Sequence, residues 1–126
     1  MITGIGMDVC QITRMEEQLN KEHFLERCFA PEEREYIRSK DAMAADTMAG
    51  LFAAKEALVK CLGTGFQDTK LCDIVVLHDK FGAPYYELRG SYAQHAAQRS
   101  ITTLHLTITH DSGIAAAVAI AERAEK

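Results

Sequence analysis

Along residues 51–66, LFAAKEALVKCLGTGF, apolar side chains recur at helical spacing on nearly every face. Leu51, Ala54, Leu58 and Leu62 share one stripe and Phe52, Glu56, Lys60 and Gly63 another, roughly opposite, with alanines, Val59 and Cys61 between them. A helix of this pattern is predicted to be buried, so its charges, Lys55, Glu56 and Lys60, require an explanation. Two readings stand for Glu56 and Lys60. At i,i+4 they would form a helix-surface ion pair worth ~0.3–0.5 kcal/mol. Alternatively they serve a ligand, since a charge carried into a core without a partner is strongly unfavourable. Gly63, Thr64 and Gly65 end the helix. Phosphate loops place their glycines ahead of a helix, at the positive end of its dipole; these follow one, where the negative end favours Lys60 and a metal cation over a bare phosphate.

Elsewhere the period changes. Residues 1–12, MITGIGMDVCQI, alternate as a strand does, with Ile5, Met7 and Val9 on one face and Gly4, Gly6 and Asp8 on the other. Glycines inside a strand mark close approach of a ligand or a second backbone. Asp8 is either a functional carboxylate or a strand-end residue that caps the next helix. Over 14–40, dense charge surrounds Met15, Leu19, Phe24, Leu25, Phe29, Tyr36 and Ile37, the pattern of two or three short amphipathic helices with a solvated charged face. One of them starts at Pro31 with Glu32 and Glu33. Asp41 or Asp46 is the candidate cap of the long helix, which passes Ala44 and Met48 on its way to Leu62. The spacing then predicts a strand over 71–77, a turn over 79–84 and a strand over 85–88, together a hairpin. A short alanine-rich helix over 92–98 follows. Leu104, Leu106, Ile108 and His110 line one face of a strand, and after a turn at 111–113 a last strand covers 114–120. Helices and antiparallel hairpins in separate blocks predict an α+β fold, with an antiparallel sheet packed against the long central helix.

Composition narrows this picture without altering it. The 126 residues, 48% hydrophobic and 25% charged, fit a single domain over 1–126. A net charge of −4 gives no reason to expect nucleic acid or an anionic membrane, and no apolar run is long enough to span a bilayer. Cys10, Cys28, Cys61 and Cys72 lie far apart with no secretory leader before them, so reduced thiols and a cytoplasmic location are expected. His23, His78, His95, His105 and His110 lack the spacing of a zinc site.

GIGMD at the start, FAAKEALVK followed by GTG, a G-x-P turn and ITH near the end together resemble the holo-[acyl-carrier-protein] synthases, the small type of 4′-phosphopantetheinyl transferase, over essentially the whole chain in order. The helix followed by GTG is the specific part of the match. The resemblance implies the phosphopantetheinyl transferase fold and a magnesium enzyme of fatty acid biosynthesis. Its reaction moves the 4′-phosphopantetheine arm of coenzyme A to a serine of apo-acyl carrier protein and releases 3′,5′-ADP. Carried over by position, it implies Asp8 and Glu56 as Mg²⁺ ligands, Glu56 and Lys60 as catalytic groups, and Lys60 facing the pyrophosphate. It further implies that Gly63, Thr64 and Gly65 lie along coenzyme A, that Pro84 and His110 line its nucleotide end, and that Arg14, Lys21 and Arg27 meet the acidic carrier. A cyclic homotrimer is also implied, with sites between protomers. One chain would give Asp8, Glu56 and Lys60, and the next His110. The small residues Gly4, Gly6 and 115–119 give an independent reason for assembly, since they admit another backbone unless they face a helix of their own chain.

The chemistry suits these residue types. Mg²⁺ is commonly held by one or two carboxylates plus substrate phosphates and water, and phosphoryl transfer depends mainly on positioning and charge neutralisation. The proton acceptor for the serine is Glu56 or a metal-bound hydroxide; the sequence leaves both open. His110 is either a satisfied strand residue or a hydrogen-bond donor to the pyrophosphate. Two positions depart from the family pattern. Leu51 stands where the helix more usually has arginine, with Arg38, Lys40 and Lys55 as candidate replacements, and Arg14, Lys21 and Arg27 are interleaved with Glu16, Glu17, Glu22 and Glu26, which weakens electrostatic docking. Two rival functions are a non-catalytic coenzyme A or carrier-binding module and a metal-dependent phosphohydrolase.

Overall fold

The computed structural model describes residues 1–63 and 70–124, so Thr64 and Gly65 of the predicted coenzyme-binding stretch lie outside the described residues. In chain order the elements are β1 (Ile2–Gln11), α1 (Ile12–Gln18), α2 (Glu22–Cys28), α3 (Pro31–Arg38), a 3₁₀ turn (Asp41–Met43), α4 (Ala44–Leu62), a second 3₁₀ turn (Leu71–Asp73), β2 (Ile74–His78), β3 (Pro84–Leu88), α5 (Gly90–Gln98), β4 (Ile101–Asp111) and β5 (Ile114–Arg123). This is the α+β arrangement expected. The alternating sequences at the two ends of the chain meet in one antiparallel sheet, ordered β1-β5-β4, while β2 and β3 form a separate hairpin.

α4 lies across the three-stranded sheet. β5 turns Ala115, Ala117, Ala119 and Ala121 toward it, all buried, and β1 turns Gly4, Gly6, Asp8 and Cys10 the same way. Small residues on this face let backbones nearly touch. A Cβ at Gly6 would stand 2.0 Å from the Ala57 carbonyl oxygen and 2.6 Å from the Cys61 nitrogen, and one at Gly4 would stand 2.2 Å from the Cys61 carbonyl oxygen. The close approach read from the glycines is therefore made by α4 of the same chain, which corrects the expectation that this face receives a second protomer. The opposite face of β1 remains open, with Ile5 67%, Met7 56% and Val9 49% exposed.

Local chemistry explains the element boundaries that differ from expectation. Neither Asp41 nor Asp46 caps α4. Met43 holds the N-cap position without a side-chain bond, Asp41 sits in the preceding turn at φ 50°, and Asp46 lies in the first helical turn, where a negative charge suits the dipole. Asp8 does not cap α1 either, since Gln11 holds that place. The strand expected over 71–77 begins only at Ile74. Leu71–Asp73 forms a 3₁₀ turn in which the Asp73 amide donates to the Lys70 carbonyl, and the carbonyl of Leu71 is taken by the Lys55 ammonium, so neither group is free for a strand ladder. Pro31 opens α3 as predicted, but Glu33 is no part of a solvated face: it is 1% exposed.

Gly6→Ala is expected to destabilise the protein by about 3 kcal/mol or more, because the methyl group collides with backbone that cannot yield. Chemical denaturation measures this; an unchanged midpoint would show that β1 does not lie on α4 in this way.

Candidate functional site

Two clusters gather the predicted residues, at different levels of α4. The first is built where β1 crosses the C-terminal half of the helix. Gly6 lies against Ala57 and Cys61, and the next inward residue, Asp8, comes beside the side chains that leave α4 at positions 56 and 60. The Lys60 ammonium donates to Asp8 Oδ1 at 2.9 Å and to the Met7 carbonyl at 3.1 Å. Lys60 thus closes on β1 rather than on Glu56, and the i,i+4 surface pair does not describe it. Glu56 is half-buried, and its carboxyl is raised above the ordinary range first by desolvation and then by the neighbouring Asp8 charge, with Arg14 and Lys60 opposing. Arg14 reaches this cluster from α1, its guanidinium 4.9 Å from the centroid of Phe52, one helical turn before Glu56.

Two like charges held close on rigid elements, with cations at their margins, suit a hard divalent ion. Among the described residues no group of three or more His, Cys, Asp or Glu side chains is arranged to hold a metal. Asp8 and Glu56 therefore suffice only for a cation that takes its remaining ligands from substrate and water, as Mg²⁺ does. The helix terminus beside them ends at Gly63 as expected and gains a contact from elsewhere in the chain. Gly63, at φ 83°, is the C-cap and donates to the Val59 carbonyl, while the Arg99 guanidinium donates to the carbonyl of Leu62. Arg99 thus joins Lys60, which lies in the last turn as expected, as a second cation at the negative end of α4. Its sequence position carried no signal of this, because α5 and α4 meet only in the folded chain.

The second cluster lies near the start of α4. His110, last but one in β4, places Nε2 2.9 Å from the Asp46 carbonyl oxygen and at the edge of Gly50. A carbonyl only accepts, so Nε2 carries the proton in this bond. His110 and Pro84 line one cavity of about 200 Å³ together with Tyr36, Leu51, His78 and Gly82. The rings of Tyr36 and His78 stack at 4.2 Å and 13°, and the Lys40 ammonium sits 4.6 Å from the Tyr36 centroid. Desolvation, then the Lys40 charge, lowers the His78 imidazole from its usual value. Of the candidates to replace the arginine at Leu51, only Lys40 stands beside this cavity without a carboxylate partner among the described residues. Lys55 is sealed in an ion pair with Glu33, and Arg38 approaches Glu22 at 3.4 Å. Gly50 and Lys60 are ten residues apart on α4, roughly 15 Å along its axis. Within one chain the structure joins Asp8, Glu56 and Lys60, joins Pro84 and His110, and keeps the two sets apart.

Arg14, Lys21 and Arg27 are all exposed on α1, α2 and the turn between them. Arg27 lies 6.0 Å from the centroid of Phe24.

Comparison with known proteins follows the same lines. Residues 4–119 match the family model described as the 4′-phosphopantetheinyl transferase superfamily. A protein of Treponema denticola named holo-[acyl-carrier-protein] synthase is 45% identical over 97% of this chain and 99% of its own. Among solved structures, the holo-[acyl-carrier-protein] synthase of Neisseria meningitidis superposes with a TM-score of 0.86 at 26% identity, covering 98% of this chain and 100% of the other. The Helicobacter pylori enzyme, in complex with coenzyme A, gives 0.79 at 32% identity over 94% and 99% of the two chains.

Replacing Asp8 by Asn should move the titration of the Glu56 carboxyl to lower pH. The substitution removes the like charge that raises it and releases Lys60, whose charge lowers it. Carbon-13 NMR of labelled glutamate reads this, and an unmoved Glu56 titration would separate the two carboxylates.

Proposed function

The chain belongs to the 4′-phosphopantetheinyl transferase superfamily, and we propose that it transfers the 4′-phosphopantetheine group of coenzyme A to a serine of apo-acyl carrier protein, releasing 3′,5′-ADP, in fatty acid biosynthesis. The observation that carries this reading is the junction of Asp8, Glu56 and Lys60 where β1 crosses α4. Asp8 and Glu56 are the residues that would hold Mg²⁺, which when bound neutralises charge on the pyrophosphate. Lys60, exposed and paired with Asp8, is placed to exchange that partner for a phosphate oxygen. Glu56 and Lys60 are its catalytic groups. The cavity of His110 and Pro84 takes the nucleotide end of coenzyme A, and Gly63, Thr64 and Gly65 are the remaining residues assigned to coenzyme A.

At each site the two clusters come from neighbouring protomers of a homotrimer, with Asp8, Glu56 and Lys60 given by one chain and His110 by the next. Support comes from the separation of the two clusters within a chain and from the open apolar face of Ile5, Met7 and Val9, which continues across the sheet into Val118 and Ile120. Residues 1–126 act as one domain in the cytoplasm. Arg14, Lys21 and Arg27 receive the carrier, and Arg14, beside Glu56, stands where a docked serine would enter.

Incubation with coenzyme A and Mg²⁺ should release 3′,5′-ADP only when apo-carrier protein is present. Release without carrier would identify a phosphohydrolase, and binding without release a non-catalytic module. Glu56→Gln is expected to abolish transfer with the fold intact, and Lys60→Met to lower kcat on the order of 10²-fold through loss of a charge acting on the transition state. Co-refolded Glu56→Ala and His110→Ala chains should recover activity at about a quarter of the interfaces, the share that pairs two intact halves. No recovery from a verified mixed oligomer would place both residues on the same chain.

A further inference from the structure

Among the described residues, Lys55 and Glu33 are the buried charged side chains of the core, and the site described above uses neither. The Lys55 ammonium donates to Glu33 Oε1 at 2.7 Å, to the Leu71 carbonyl at 3.1 Å and to the Ile74 carbonyl. Glu33 Oε1 also accepts from the Ala30 amide at 2.8 Å, and its Oε2 from the Val76 amide at 3.0 Å. Burial works against both charges, raising the Glu33 carboxyl and lowering the Lys55 ammonium. The hydrogen bonds favour the charged form. Three acceptors match the three protons of an ammonium, and both carboxylate oxygens accept backbone N–H groups, which opposes protonation of the carboxyl.

A buried ion pair is weak evidence of stability, because well-packed apolar side chains of similar volume commonly do as well. What it adds is direction. β2 buries Ile74, Val75 and Val76 in succession, a run whose packing alone tolerates sliding, whereas bonds to the Ile74 carbonyl and the Val76 amide fix the strand's position along its own axis. Each end of the network lies one repeat from a wall of the His110 cavity. Tyr36 is one helical turn beyond Glu33 on α3, Leu51 is one turn before Lys55 on α4, and His78 is two residues beyond Val76 on the same face of β2. The geometry points to Glu33 and Lys55 as the positioning pair of this cavity: they register the β2–β3 hairpin against α3 and α4, so that Tyr36, His78, Gly82 and Pro84 keep the spacing that admits the nucleotide. The role rests on the assignment of that cavity to the nucleotide end of coenzyme A.

The double variant Glu33→Gln/Lys55→Met removes both charges and nearly preserves volume, whereas either single change strands a buried charge. For the folded double variant the KM for coenzyme A should rise at least tenfold, with kcat and the KM for carrier protein within about threefold of wild type, and the His78 ring protons should shift as the stack on Tyr36 loosens. An unchanged KM for coenzyme A would make the pair purely structural. A second measurement needs no variant. In the wild-type protein, saturating 3′,5′-ADP should slow hydrogen exchange of the Val76 amide, and protection of amides around the cavity that leaves Val76 unchanged would overturn the proposal. If wild-type protein binds neither coenzyme A nor 3′,5′-ADP, the cavity assignment fails instead, and the two failures are told apart.

Discussion

Contact between the backbone of β1 and the backbone of α4 is the constraint on which the rest of the molecule depends. Gly4 and Gly6 leave no side chain between the strand and the carbonyls of Ala57 and Cys61, and the alanines of β5 hold the helix equally low over the central strand. At that distance the first inward side chain beyond the glycines, Asp8, has only one place to go. It meets Lys60 and the half-buried Glu56 across the interface. A larger residue at either glycine would lift the strand and separate the charges, so packing and chemistry are set by the same contact.

The charges on α4 are sorted by what faces each of them. Lys55 points toward α3 and the hairpin, where Glu33 and two carbonyls satisfy all three of its protons. Glu56 points toward β1, where desolvation and Asp8 raise its carboxyl and the cations at the margin oppose them. Lys60 reaches past the edge of the sheet into solvent. One helix thus carries a sealed charge, a half-buried one and an exposed one within six residues.

The sheet has two unlike faces. Its inner face, glycine and alanine along most of β1 and β5, packs on α4, while its outer face presents Ile5, Met7 and Val9 with no covering element among the described residues. That asymmetry fits a protein completed by its own copies. The cavity around His110 and the carboxylates around Lys60 lie at different levels of the helix within one chain.

Much of this was legible in the sequence. Period-two runs at both ends and an all-round apolar helix between them determine an antiparallel sheet under a central helix, because burial dictates which residues recur. The glycines, carboxylates and lysines of the candidate site are likewise written in residue type and spacing. What pairs with what was decided only by the tertiary structure. Glu33 resembles any acid in the first turn of a surface helix, and nothing local says that it will be buried under Lys55, 22 positions away. Arg99 caps the helix of Leu62 from 37 positions away, and Gly4 and Gly6 announce a close approach without naming the partner. Periodicity records which face is apolar, but only the assembled layers determine which backbone or charge arrives at that face.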